Sequence, residues 1–263
     1  IMTVATADAL LTDGDYARAY RSWGRAWPDA GYGGNFSRWL RKAHASPYGS
    51  FGNGSAMRAS PAAYAADSLE EVLRIAEATS VVTHDHPQGI IGAQALTGSV
   101  FLARRAASNG TVASCKEEIR AFLERRCGYS LRRTVAEIRP DYTFDVTCQG
   151  SVPESLICFL EASDFESAVR KAVSLGGDAD TQACIAGAVA GALWGVPQRC
   201  VREHARIPGG LERRGGRGRR RRHQFRCRHR ERSERGGRCQ THAQGRGGKN
   251  SHCSAGFAPG VHC

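Results

Sequence analysis

Gly176-Gly177-Asp178-Ala179-Asp180-Thr181-Gln182-Ala183-Cys184-Ile185-Ala186-Gly187-Ala188-Val189-Ala190-Gly191-Ala192 is the stretch on which the reading of this chain turns. Two carboxylates and a hydroxyl open a run of small residues that suits a closely packed helix, so hard oxygen donors stand on a stiff support. Four readings compete for them. A calcium loop of the EF-hand type needs Gly at its sixth position and Glu at its twelfth, where this chain has Ala183 and Val189. A phosphotransferase nucleophile of the Asp-x-Asp type follows a hydrophobic strand, whereas Gly176 and Gly177 follow a helical pattern. An acidic N-cap accounts for one aspartate through the helix dipole. It leaves the second carboxylate, the glycine pair and the small-residue run without a reason. Half of a site for a hard divalent cation, Mg²⁺ or Mn²⁺, accounts for all three, because every donor is oxygen and no soft ligand is near.

Upstream, the chain reads as a succession of helices. Asp164 caps one with Phe165, Ala168, Val169, Ala172 and Val173 on its buried face, and Ser151-Val152-Pro153-Glu154 opens another through Leu156, Ile157, Phe159 and Leu160. Pro153 then falls in the first turn, where its missing N–H costs nothing. Ser68-x-x-Glu71 and Ser114-x-x-Glu117 have the form of capping boxes, each followed by an apolar stripe. Asp15 caps a helix with the stripe Tyr16, Tyr20, Trp23, Trp27, read as core packing, and Phe36, Trp39 and Leu40 mark a further one after the turn at 30–34. Thr83 to Gln94 is a polar loop leading into a long helix that reaches Arg105, and only Tyr142 to Cys148 alternates as a strand does. About ten helical segments with so little strand pattern predict a single all-α domain over residues 1–208.

A second stretch, Pro47-Tyr48-Gly49-Ser50-Phe51-Gly52-Asn53-Gly54-Ser55-Ala56-Met57-Arg58, is a Gly-rich loop running into a helix. Such a loop lets a ligand reach bare backbone, and amides at a helix start hold anions; on spacing alone a structural turn serves equally well. His84 and His86 lie at no zinc-like spacing from a cysteine or third histidine, so a ligand contact or a loop-fixing hydrogen bond is the reading there.

The net charge of +12 is confined to the end of the chain: residues 209–263 carry 14 Arg and 1 Lys against 3 Glu, leaving 22 basic and 22 acidic side chains before them. The body is therefore neutral, and its charge points to no nucleic-acid or membrane partner. Residues 209–263 are read as a disordered Arg/Gly-rich tail, since they contain hardly an aliphatic side chain to bury. Their four cysteines and five histidines follow no zinc-finger spacing. A shifted reading frame explains such a segment better than an Arg-rich nucleic-acid arm does. Six cysteines scattered through the body without a C-x-x-C pair favour a reducing compartment. With no signal segment, and Ala183 to Val196 too short to span a bilayer, a soluble cytoplasmic monomer is expected.

Taken together and in order, Gly31-Tyr32-Gly33, Gly52-Asn53-Gly54-Ser55-Ala56-Met57-Arg58, Thr83-His84 to Gly92-Ala93, and Gly177-Asp178-Ala179-Asp180-Thr181 with its Ala/Gly helix resemble the ADP-ribosylglycohydrolase family. These are all-α enzymes akin to the dinitrogenase-reductase-activating glycohydrolase and the ADP-ribosylhydrolases. The resemblance covers residues 1–205. It implies a binuclear Mg²⁺ or Mn²⁺ centre and hydrolysis of the bond between ADP-ribose and a protein side chain or small acceptor. It implies Asp178, Asp180 and Thr181 as metal ligands, Asn53, Gly54, Ser55 and Met57 as the lining of the ribose and diphosphate site, and His84 beside the substrate. It identifies no leaving-group acid and does not say which linkage is cleaved.

Two departures qualify these expectations. The family's other metal-ligand cluster, a Thr-Asp-Asp-Thr-like element, precedes a helix that Ile1-Met2-Thr3-Val4-Ala5 resembles, so the chain is expected to start just after it. Weak metal binding and little hydrolysis by these 263 residues follow from that expectation. After Val201-Arg202-Glu203-His204-Ala205 the chain leaves the family pattern for its Arg-rich end. Against the hydrolase stand two alternatives: a catalytically silent ADP-ribose-binding module, and nucleic-acid binding through the tail.

Overall fold

The computed structural model describes residues 1–206, and the regular elements along them are helices joined by loops. The helices are α1 (Met2–Leu11), α2 (Tyr16–Ala26), α3 (Gly34–Arg41), α4 (Gly54–Met57), α5 (Leu69–Val81), α6 (Pro87–Asn109) and α7 (Val112–Cys127). They continue as α8 (Val135–Ile138), α9 (Cys148–Glu161), α10 (Phe165–Ser174), α11 (Ala179–Trp194) and α12 (Gln198–Arg206), with a 3₁₀ turn at Ser60–Tyr64. The all-α expectation is borne out. The expected tail lies outside the described residues.

Two helices without a marked polar face form the centre. In α6 the whole run from Ala95 to Ala103 is buried, because α5, α7, α9, α11 and the short α4 surround it. A helix enclosed in this way has no need of amphipathic spacing. In α11, Thr181, Gln182, Ile185, Ala186, Val189, Ala190 and Leu193 are buried against α6, α9 and α10. Its Ala and Gly run therefore does what the sequence suggested and lets neighbours approach closely. Gly92 of α6 faces the Cys148 side chain and Gly98 faces the Phe122 ring, in each case nearer than any Cβ tolerates. A second cluster joins α1, α2 and α3 through Met2, Ala5, Tyr20, Phe36, Trp39 and Leu40; of the aromatic stripe, Tyr20 is core as expected, Tyr16 and Trp23 pack half-buried against it, and Trp27 lies outside the cluster. Cys115, Cys148 and Cys158 are free thiols buried in the main core. Among the described residues no helix is long and apolar enough to cross a membrane.

Several local expectations are corrected. Tyr142 to Cys148 forms no strand: it makes one antiparallel bridge, Gly52 to Thr147, with Asn53 N donating to Val146 O (2.7 Å) and Cys148 N to Phe51 O (2.8 Å). The alternating stretch meets a loop instead of a second strand, and the bridge ties the Gly-rich loop to the start of α9. That helix begins at Cys148, with the Thr147 hydroxyl accepting from Gly150 N (3.2 Å), so Pro153 sits in its second turn and not its first. Ser114 caps nothing. Gly110 closes α6 at φ 72°, the chain turns at once, and α7 starts at Val112, leaving the Ser114 hydroxyl to donate to Thr111 O at 3.3 Å. Val173 is half exposed, since α10 buries only Ala168 and Ala172 fully. Asp15, Ser68 and Asp164 do cap their helices.

Candidate functional site

Gly176 and Gly177 take φ of 82° and 68° in succession, a left-handed pair that carries the chain out of α10 and round into α11. Side chains rarely adopt this conformation, and a Cβ on Gly177 would also lie 2.9 Å from the Tyr142 ring. The glycine pair thus has a reason of its own, a turn pressed against Tyr142, independent of any ligand. What the turn achieves is the placement of Asp178 at the N-cap of α11.

Asp178 makes no side-chain capping bond to the helix. Its Oδ2 accepts instead from Asn53 Nδ2 at 2.7 Å, and the same amide nitrogen reaches Ser151 Oγ at 3.1 Å. The simple N-cap reading fails at this point, because the carboxylate has turned from the helix amides toward the Gly-rich loop. Burial pushes the Asp178 carboxyl above its ordinary range, the Asn53 amide opposes that, and a hydrogen bond with the nearby Asp180 carboxyl raises it further. Two carboxylates so close resist sharing full negative charge unless a proton or a cation stands between them. Thr181, buried beside them, directs its hydroxyl at Met57 Sδ (3.6 Å). Met57 O in turn accepts from Thr3 Oγ1 at 3.2 Å and Cys184 Sγ at 3.4 Å, so the end of α4 is clamped between α1 and α11.

The Gly-rich loop reaches this point under several restraints. Gly49 N donates to the Asp85 carboxylate at 2.7 Å, and Asn53 is fixed by the bridge to Val146. Ser55 is fully buried and donates to Gly89 O at 2.8 Å, tying α4 to the start of α6 and directing its hydroxyl inward. A Cβ at Gly54 would lie 3.4 Å from His84 Nε2, and one at Gly52 3.7 Å from it, so the imidazole stands over bare backbone. His84 is buried, and its Nδ1 meets Thr83 Oγ1 at 2.7 Å. Burial first, and then the Arg58 guanidinium, push its pKa down to about 2, leaving the ring neutral. His86 accepts from Gln88 N at 3.1 Å and caps α6, a loop-fixing role.

Asn53, Gly54, Ser55, Met57, His84, Asp178 and Thr181 are thus brought together, with Asp180 exposed in the first turn of α11. Sequence reasoning passed over Ser151, Thr83, Asp85 and Arg58 as parts of the same network. Ser151 has no local signal, because its partner is 98 residues away. Arg58 was visible only as the last letter of a motif, whereas it is a fully buried cation lying 4.2 Å over the Tyr20 ring. Two further cavities, one of about 110 Å³ beside Glu70 and Arg126 and one of about 480 Å³ between α1 and the 3₁₀ turn, hold no pair of carboxylates.

The donors at Asp178, Asp180 and Thr181 are all hard oxygens, and the crowding of like charge is the condition a divalent cation relieves, so these residues fit Mg²⁺ or Mn²⁺. They contribute two carboxylates; no group of three or more His, Cys, Asp or Glu side chains suited to a metal gathers among the described residues.

An all-α chain in which a carboxylate pair at one helix start is wired to a Gly-rich loop at another belongs with helical proteins that set an acidic centre against a Gly-rich loop. The particular family is settled by comparison: residues 1–219 match the model of the ADP-ribosylglycohydrolase family, and the chain belongs to it. It is 30% identical over 224 residues to the ADP-ribosylhydrolase ARH3 of Bos taurus and 29% identical over 223 to that of Homo sapiens. Each alignment covers 65% of this chain and 61% of the relative, so the chain spans about three fifths of the length of these proteins. A solved ADP-ribosylglycohydrolase-related protein complex has the same fold, with a TM-score of 0.58 at 24% identity over 76% of this chain and 73% of the other.

Proposed function

We propose that the chain binds the ADP-ribose group of an ADP-ribosylated protein or small molecule, and that its Asp178 cluster serves metal-dependent hydrolysis of the glycosidic bond. The observation that carries this reading is the 2.7 Å hydrogen bond from Asn53 Nδ2 to Asp178 Oδ2, which makes the loop and the carboxylate pair one site. Family membership and the ADP-ribosylhydrolase relatives support it.

In this reading Gly52 and Gly54 give a diphosphate or ribose close access to backbone, and His84 stands over them as a neutral hydrogen-bonding group. Asn53 holds the Asp178 carboxylate at a fixed angle, with Ser151 as its second anchor. Asp178, Asp180 and the Thr181 hydroxyl would hold Mg²⁺ or Mn²⁺. When bound, such a cation supplies Lewis acidity and lowers the pKa of water for attack on an anomeric carbon. Titration calorimetry with ADP-ribose, with and without Mg²⁺ or Mn²⁺, followed by turnover of ADP-ribosylated serine and arginine substrates, tests both halves. Failure of ADP-ribose to bind under any condition would sink the reading.

A second reading, binding of ADP-ribose without turnover, is favoured by the number of acidic ligands: Asp178 and Asp180 supply two carboxylates where a binuclear centre takes more. Binding in the absence of metal combined with no metal-dependent hydrolysis is the outcome that selects it.

A further inference from the structure

Hydrogen-bond accounting around His84 fixes where its proton sits. Arg58 is buried at the end of α4 and carries a charge that it cannot shed. Its Nη2 donates to Thr79 O at 2.9 Å and to Thr83 Oγ1 at 2.8 Å. Thr83 Oγ1 therefore accepts from Arg58 and has one proton of its own to give. Thr83 is fully buried, and the atom within reach of that hydroxyl besides the guanidinium is His84 Nδ1 at 2.7 Å. If Nδ1 carried the proton, the Thr83 hydroxyl would be left buried without an acceptor, which costs more than a typical hydrogen bond gains. The hydroxyl donates, Nδ1 accepts, and the ring proton lies on Nε2.

Nε2 is the atom that faces the loop. It lies over Gly52 and Gly54, within van der Waals reach of where a Cβ on either would stand, and it has no protein acceptor among the described residues. We infer that Arg58 and Thr83 are positioning residues that hold His84 as the neutral Nε2–H tautomer, ready to donate to an oxygen of the ADP-ribose group over Gly52 and Gly54. The identity of the ligand rests on the proposed function; the tautomer does not. The charge acting on His84 is that of Arg58, with the Tyr48 ring packed 6.1 Å away and Ser80 Oγ bound to the His84 carbonyl. Burial and that charge both oppose protonation.

Long-range ¹H–¹⁵N NMR on the ¹⁵N-labelled full chain reads the tautomer directly, with the His84 signals assigned by their loss in His84→Gln. The expected pattern is a neutral ring protonated at Nε2 and unchanged between about pH 5 and pH 8. Thr83→Ser is expected to keep that pattern. Thr83→Val should release it toward the Nδ1–H form and weaken ADP-ribose binding roughly fivefold, with helical circular dichroism retained. A wild-type ring protonated at Nδ1, or at both nitrogens, overturns the inference whether or not the variants fold, and so does a Thr83→Val protein with unaltered tautomer and affinity. An Nε2–H ring in a protein that binds no ADP-ribose supports the relay and removes the ligand, together with the proposed function.

Discussion

Asp178 and Glu154 are two half-buried carboxylates whose proton affinities are both raised first by burial. At Asp178 the Asn53 amide opposes that rise and the neighbouring Asp180 carboxyl adds to it. Glu154 is raised chiefly by burial, and its Oε2 is buried with no protein partner. For Glu154 the sign of the pH dependence is fixed. A carboxyl whose folded pKa stands above its unfolded value contributes stability that is fully present below the ordinary 4.5 and is lost as pH rises through the folded value. At neutral pH the Glu154 carboxyl, with its raised pKa, therefore works against the fold. Glu154→Gln is expected to raise the melting temperature at neutral pH, with the gain shrinking as pH falls through the carboxylate range. Melting curves from about pH 4 to pH 8 check this, and a gain that grows toward acid would contradict it. Asp178 is not expected to behave so simply, because a second carboxylate stands hydrogen-bonded beside it.

At the scale of helices, closeness of approach decides what a glycine is for. Gly92 in α6 faces Cys148 at the start of α9, whose Cβ would lie 2.9 Å from a Cβ placed there. Gly92→Ala must push α9 away and carry with it Ser151, the second anchor of Asn53. A loss of roughly 1–3 kcal/mol in denaturant unfolding is expected, outweighing the helix propensity gained. Gly187 in α11 is the counter-case: its Cβ would meet Val169 Cγ2 at 3.4 Å, an ordinary contact. Gly187→Ala should be neutral or stabilising by up to ~1 kcal/mol, and a loss comparable with that of Gly92→Ala would refute the packing argument. The same distinction explains what the sequence made legible. Asp15 and Asp164 cap as read, and Ser68 caps without the reciprocal Glu71 bond of a capping box, because a cap answers to the amides within its own first turn. Ser114 and Pro153 were misplaced because each helix starts at a nearby earlier residue, after the Gly110 turn for α7 and at the Thr147 cap for α9, whereas the stretch from Tyr142 to Cys148 depends on a distant partner, the bridge to Gly52. Asp178 itself was legible as a special residue, but its orientation was not, since Asn53 lies 125 residues away.

Over the whole molecule, the Asp178 cluster couples three parts of the chain, so occupancy by a cation should register as global stability. Asn53 comes from the loop before α4, Ser151 from α9 and Thr181 from α11, while Met57 joins α4 to both α1 and α11. A ligand that binds the folded chain alone stabilises it by mass action, about 2.7 kcal/mol at a hundredfold excess over its Kd. For a protein of this size that corresponds to a rise in melting temperature of roughly 5–10 °C. With two carboxylates and a hydroxyl as donors, saturation is expected only in roughly the millimolar range of Mn²⁺ or Mg²⁺. A chelator should reverse the shift, and Ca²⁺, which takes more oxygen ligands, should produce less of it. In Asp180→Asn the shift should disappear while the metal-free melting temperature stays within a few degrees of wild type, because Asp180 is exposed and an amide can still hydrogen-bond Asp178. Asp178→Asn should also abolish it, but with a larger metal-free change, since that side chain is bound to Asn53. Equal stabilisation of wild type and Asp180→Asn by Mn²⁺ would place the cation elsewhere on the molecule and separate the acidic cluster from metal binding.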